Sequence, residues 1–231
     1  MRRATSSSLR RWPVPDRRSI RPLYRKISIV ILRVRAMRYP ADQKVKARAA
    51  LLRGGTRSMK VAGFNGIGVD GLAAAADVTS GAFYSNFANK EAMLEAIVEA
   101  AVGEPFVSDT ESGSKAERRS KLKAFVAEYL SAYHVNNPAE GCVMPTLSAD
   151  VARAGSATRE AYEHKIAALA GRMAELLDGA DRERRAWSVV ALMVGAVSIS
   201  RAMADAATQV EVLDAARATA DILISPGKRR K

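Results

Sequence analysis

Beyond residue 40 the apolar positions recur at the three- and four-residue intervals of helices. A first helix is predicted from about Ala41 to Ala62, with Val45, Ala49, Leu52, Thr56 and Met59 as its inward stripe and Gly63 as its stop. A short helix follows over Val69–Ala76, in which Val69, Leu72, Ala73 and Ala76 share a face. Asp77-Val78-Thr79 is a turn: Asp tolerates a left-handed backbone, Val78 plugs the corner, and the Thr79 hydroxyl can cap what comes next. A second short helix runs from Ser80 to about Phe87, with Phe83 and Phe87 on one face and small polar residues elsewhere. Asn89 caps a fourth helix reaching about Val102, where Ala92, Met93, Ala96, Ile97 and Ala100 face inward.

After a Gly-, Ser- and acid-rich stretch at 103–113, helical spacing resumes. It marks one helix over Lys115–Asn136, ended by Asn137-Pro138, and an apolar loop and short helix from Gly141. Longer helices follow over Thr158–Leu177, Asp181–Ala207 and about Gln209–Ile224. The Asp181–Ala207 segment is apolar nearly all round, which implies burial on both sides. The fold class is therefore all-α: a three-helix helix-turn-helix domain, followed by a larger helical domain. The domain limits are 41–102 for the first, with its motif at about 68–87, then a 103–113 linker and a second domain over 114–227.

A short helix, a turn and a second helix with a small polar outer face form a pattern whose second helix is sized for a DNA major groove. An ordinary helical hairpin has the same spacing. The particular residues decide between them. The run FNGIGVDGLAAAADVTSGAFYSNFANKEAML at 64–94 resembles the DNA-binding domain of the TetR/AcrR family of bacterial regulators. The likeness is nearly continuous over Lys44–Val98, and most specific at Val78–Tyr84, Phe87 and Lys90-Glu91-Ala92. Three departures stand out. Asp77 replaces the usual Gly, Gly68 replaces a capping Ser or Thr, and Gly54-Gly55 with Met59 replace the usual Ala pair and Phe. Each interior Gly is expected to cost about 1 kcal/mol relative to Ala.

The resemblance implies a dimeric transcriptional regulator bound to a palindromic operator, a repressor released when a small molecule of unknown identity occupies the second domain. The expected DNA contacts are Gly68, Val69, Thr79, Ser80, Gly81, Ala82, Tyr84, Ser85, Asn86 and Lys90. Gly81 would allow close backbone approach, and Ala82 a thymine methyl. Tyr84 by resemblance, and Lys90 with help from the helix dipole, would bind phosphates. The homodimer would form through roughly 181–224, with the faces carrying Val194 and Ala216 meeting the second chain. Tyr129, Tyr133, Met144, Tyr162, Met173 and Trp187 are candidates for an apolar effector pocket, although such residues also make plain core.

Composition then narrows the picture. The formal charge is +13, but residues 1–36 hold ten Arg and Lys26 against Asp16 alone, and Lys228-Arg229-Arg230-Lys231 add four more. The span 37–227 is near neutral, whereas 38–90 carries eight basic side chains against three acidic ones. Excess positive charge within the folded part thus sits where DNA would bind. Residues 1–40 read as a basic extension with an isolated strand-like run at 27–34. They fit a phosphate-touching arm, a transit-like segment, or a stretch not normally made, with Met37 as the true start; the last is preferred.

Enzyme chemistry finds little support. His134 and Cys142 lack an orienting third group, Cys142 reads as a small buried hydrophobe, and His164 as a solvated side chain. No metal spacing, cofactor motif or membrane-length apolar run is present, and a single Cys suits a reducing cytoplasm. Two alternatives stay open: a helical small-molecule-binding protein or enzyme with an incidental helix-turn-helix, and a nonspecific DNA-coating protein.

Overall fold

The computed structural model describes residues 41–103 and 113–225. The basic extension and its proposed Met37 start, nearly all of the 103–113 linker, and the 228–231 tail lie outside the described residues. Residues 45–225 form one compact unit, to which the first four residues of the first helix do not belong. Among the described residues every regular element is a helix: α1 Ala41–Ala62, α2 Val69–Ala75, α3 Ser80–Asn86, α4 Lys90–Ala101 and α5 Lys115–Tyr129, then α6 Ala132–Asn136, α7 Met144–Val151, α8 Ser156–Glu175, α9 Arg182–Ala202 and α10 Ala206–Ile224.

One hydrophobic core runs through the unit. Leu51, Met59, Leu72, Phe83 and Met93 knit α1 to α4 and have no exposed surface. Burying each such side chain contributes about 1.5–3 kcal/mol. Helix α4 continues the core by packing on α8, and α8 in turn lies against α9. Helix α9 contacts α6, α7 and α10, so it is the centre of the larger part.

Several expected faces are rotated. On α1 the buried line is Leu51, Gly55 and Met59, whereas Val45 is 68% exposed. The glycine pair explains this. A Cβ on Gly54 would lie 2.6 Å from the Ala75 carbonyl oxygen, and one on Gly55 would overlap the Met93 side chain. The pair is thus a contact surface for α2 and α4, not simply a weak spot in the helix. On α4, Leu94 and Val98 are buried and Ala100 is exposed.

The single helix expected over Lys115–Asn136 is broken at Leu130-Ser131. There Ser131 caps α6, its hydroxyl accepting from the His134 amide at 3.2 Å. Helix α9 stops at Ala202, and Asp205 caps α10 through the Thr208 amide at 2.8 Å. Nor is α9 buried all round, since Trp187 and Ile199 are about half exposed. Ala216 is buried within its own chain, so its face does not await a second one.

Candidate nucleic-acid interface

Gly68 opens α2 in an extended conformation without a side-chain cap. After α2 the chain reverses at Asp77, whose φ of 53° is the left-handed backbone expected of that position. The Val78 amide closes the turn by donating to the Ala73 carbonyl at 3.0 Å. Thr79 then caps α3, its hydroxyl oxygen accepting from the Ala82 amide at 3.1 Å. Phe83 and Phe87 anchor α3 from beneath, with ring centroids 5.7 Å apart. Arg48 holds its far end: the guanidinium lies 4.4 Å over the Phe87 ring and donates to the Asn86 carbonyl at 2.9 Å.

The expected DNA contacts divide by what else they do. Gly81, Ser85 and Tyr84 are exposed on the outer side of α3, and Ala82 is half-buried. Ser80 donates to the Asp70 carboxylate at 2.5 Å, which ties α3 to α2. Asn86 turns its amide back onto the Ala82 carbonyl at 2.8 Å. Lys90 also turns inward: its ammonium sits 4.2 Å over the Phe64 ring and donates to the carbonyls of Phe64 at 2.8 Å and Ile67 at 3.2 Å. It fixes the loop before α2 with two of its three donors. Val69 is half-buried beside the exposed Gly68. The next helix is capped by Asn89, which accepts from the Ala92 amide at 2.8 Å. Spacing could not reveal Arg48, because its partners lie a full element away in sequence.

The unit also holds a cavity of about 520 Å³, lined in part by α1 and α4. Tyr129, Tyr133 and Met144 line it. Tyr162 instead hydrogen-bonds Ser148 at 2.7 Å, Met173 is fully packed, and Trp187 lies on the surface of α9. Sequence reasoning missed the polar part of the lining: Lys60, Glu128, His134, Glu140 and Cys142. His134 and Cys142 are joined by a hydrogen bond. The His134 Nε2 accepts from the Cys142 amide at 2.9 Å, and Nδ1 bonds the Tyr129 carbonyl at 2.7 Å. Both ring nitrogens are occupied, so the imidazole is neutral with its proton on Nδ1. Burial pushes its pKa below the ordinary value, and burial likewise pushes the Cys142 thiol up. The protonated thiol is a poor nucleophile. His164 is exposed.

Four contacts join the helix-turn-helix end to the segments around this cavity. The Lys60 ammonium donates to the Gly141 carbonyl at 2.8 Å, and Thr146 donates to the Lys60 carbonyl at 3.0 Å. Arg57 pairs with Glu140 at 2.8 Å, and the Phe64 amide donates to Asp150 at 3.0 Å. Among the described residues no group of three or more metal-binding side chains occurs, and no helix is long and apolar enough to cross a membrane.

Residues 51–97 match the family model described as bacterial regulatory proteins, tetR family. No curated protein matches the sequence. Among solved structures, E. coli NemR in its reduced form shares the fold with a TM-score of 0.65 and 23% identity, over 79% of this chain and 98% of that one. A TetR-family regulator from Cytophaga hutchinsonii gives 0.62 and 20% over 82% and 98%. The regulatory protein TetR from Rhodobacter sphaeroides gives 0.62 and 20% over 78% and 99%. Likenesses of this identity speak to the fold, while the sequence of the α1–α4 region speaks to the family. Residues 51–97 thus carry the DNA-binding domain of the TetR family of bacterial regulators, in a chain whose fold is that of TetR-family structures.

Proposed function

We propose that the chain is a cytoplasmic, homodimeric repressor that grips a palindromic operator with α3 and lets go when a small molecule fills the cavity. In this reading residues 41–102 are the DNA-binding domain and 114–227 the effector and dimerisation domain. The observation that carries it is Gly81. A Cβ there would meet nothing closer than the Thr79 hydroxyl oxygen at 3.7 Å, so the fold itself does not ask for glycine. Gly68 is alike, with open space around it. Two exposed glycines without an internal reason, on either side of the turn, suit a surface where another backbone comes close. The exposed side chains beside Gly81 are short except for Tyr84, so base readout is sparse and DNA shape contributes to specificity.

Dimerisation is supported by the apolar residues that α9 and α10 leave outside: Trp187, Ile199, Val210 and Ile222 are 43–66% exposed. Two DNA-binding ends brought together there would read half-sites about one helical turn apart. The test is a mobility shift with DNA from upstream of the gene against random DNA, for the wild type and Gly81→Leu. The wild type is expected to prefer its own DNA, and Gly81→Leu to lose it while melting at the same temperature. Equal binding of both DNAs by the wild type would leave only a nonspecific binder.

A further inference from the structure

The cavity has apolar walls, from Phe125, Val143, Leu169 and Met193, and two buried polar groups that the protein leaves poorly served. Lys60 is nine-tenths buried, and among the described residues its ammonium has a single hydrogen-bond partner, the Gly141 carbonyl at 2.8 Å. Two of its three donors are unused. No carboxylate lies within ion-pair distance of it among the described residues, for the nearby Glu140 is held by Arg57. Burial accordingly pulls the Lys60 pKa down. The second group is the Tyr129 hydroxyl, also buried, which among the described residues has no hydrogen-bond partner of ordinary geometry and has the weakly bonding Cys142 thiol beside it. A buried charge served by one carbonyl and a buried hydroxyl without a partner of ordinary geometry are both costly.

We propose that the effector is a small apolar carboxylic acid, its carboxylate held by Lys60 and Tyr129 and its body against the Phe125, Leu169 and Met193 wall. This rests on the reading that the cavity is the effector site. A carboxylate accepts hydrogen bonds only and has two oxygens, so it suits two donors that line the same cavity. An amine of the same shape would meet the Lys60 ammonium, with Arg57 and Arg201 acting on the same spot. A neutral amide would serve Tyr129 and leave the charge unpaired. Glu128 and Glu140 border the cavity as exposed side chains, where water screens them. Lys60 belongs to α1, so a bound acid that draws its ammonium from Gly141 acts directly on the joint between the cavity wall and the DNA-binding end.

The test is calorimetric titration of the full chain with octanoate and 4-phenylbutyrate, against octanamide and octylamine. The acids are expected to bind at least tenfold more tightly than the amide, and the amine not at all. Lys60→Met should weaken the acids at least tenfold and leave the amide unchanged. Tyr129→Phe should weaken the acids several-fold. An amide as tight as its acid, no binding of either acid, or full acid affinity in Lys60→Met would overturn the proposal. The acid–amide comparison needs no variant, so it decides even where Lys60→Met folds poorly. Failure here is separable from failure of the regulator reading. Operator binding without acid binding sinks this proposal alone, while Lys60-dependent acid binding that leaves the operator complex intact sinks effector release alone.

Discussion

Replacing Gly54 by alanine sets one methyl group against the backbone of the neighbouring helix. The new Cβ would lie 2.6 Å from the Ala75 carbonyl oxygen and 2.9 Å from its carbon. Neither atom is the end of a flexible side chain, so relief requires α2 to shift. Overpacking of this kind costs about 1–3 kcal/mol, and a backbone obstacle belongs in the upper half of that range. Alanine returns about 1 kcal/mol of helix propensity. The net expectation is a loss of about 1–2 kcal/mol, which for a domain of this size lowers the melting midpoint by roughly 2–8 °C. The same substitution elsewhere provides the controls. At Gly171, on the exposed side of α8, a Cβ meets nothing, so alanine should stabilise by up to about 1 kcal/mol. At Gly55 the obstacle is the terminal Met93 methyl, which can swing aside, so the effect should fall between the two. Thermal melts at one fixed protein concentration read all three, since a dimer's midpoint depends on concentration. Stabilisation of Gly54→Ala equal to that of Gly171→Ala would refute the packing role assigned to the pair.

Three further outcomes follow from named contacts. His134 has a depressed pKa, so between the ordinary imidazole value of 6.5 and its lower native value the unfolded chain takes up a proton that the folded chain refuses. Stability should therefore fall as the pH drops from 7.5 to 5.5, and urea midpoints for the wild type and His134→Gln should converge toward the lower pH. Lys90→Ala removes two carbonyl contacts and a ring contact from a half-buried ammonium, and should lose about 1 kcal/mol of stability. If its third donor meets a phosphate, the salt slope of operator binding falls by about 1 as well; an unchanged slope assigns Lys90 to positioning alone. Ile222→Glu alters a side chain that is 66% exposed in its own chain, so sedimentation should show a folded monomer with weakened operator binding, and a retained dimer would place the interface elsewhere.

The helix-turn-helix was legible because its logic is local. Thr79 and Asn89 cap helices three residues away, Asp77 takes the left-handed turn, and Phe83 and Phe87 sit one helical turn apart. The face of α1 was misjudged because Gly54 and Gly55 look weak by propensity and act by letting other helices in, which no spacing within α1 can reveal. The break at Ser131 escaped because an apolar stripe runs through it, while a single hydroxyl cap outweighs the stripe. The cavity was only half legible. Large apolar residues were searched for, but the polar lining comes from α1, α5, α6 and the 137–143 segment, which meet only in the folded chain. Ala216 shows the same limit: a small-residue stripe marks close packing without saying whether the neighbour is the same chain or another.

Footprinting on DNA from upstream of the gene tests the central claim most directly. The account predicts two protected patches on one face of the duplex, related by a dyad, with centres about one helical turn apart. Both should disappear together in Gly81→Leu and when a bound acid is added. Uniform protection along the fragment, or a single patch without a symmetric mate, would contradict a dimeric operator-reading regulator.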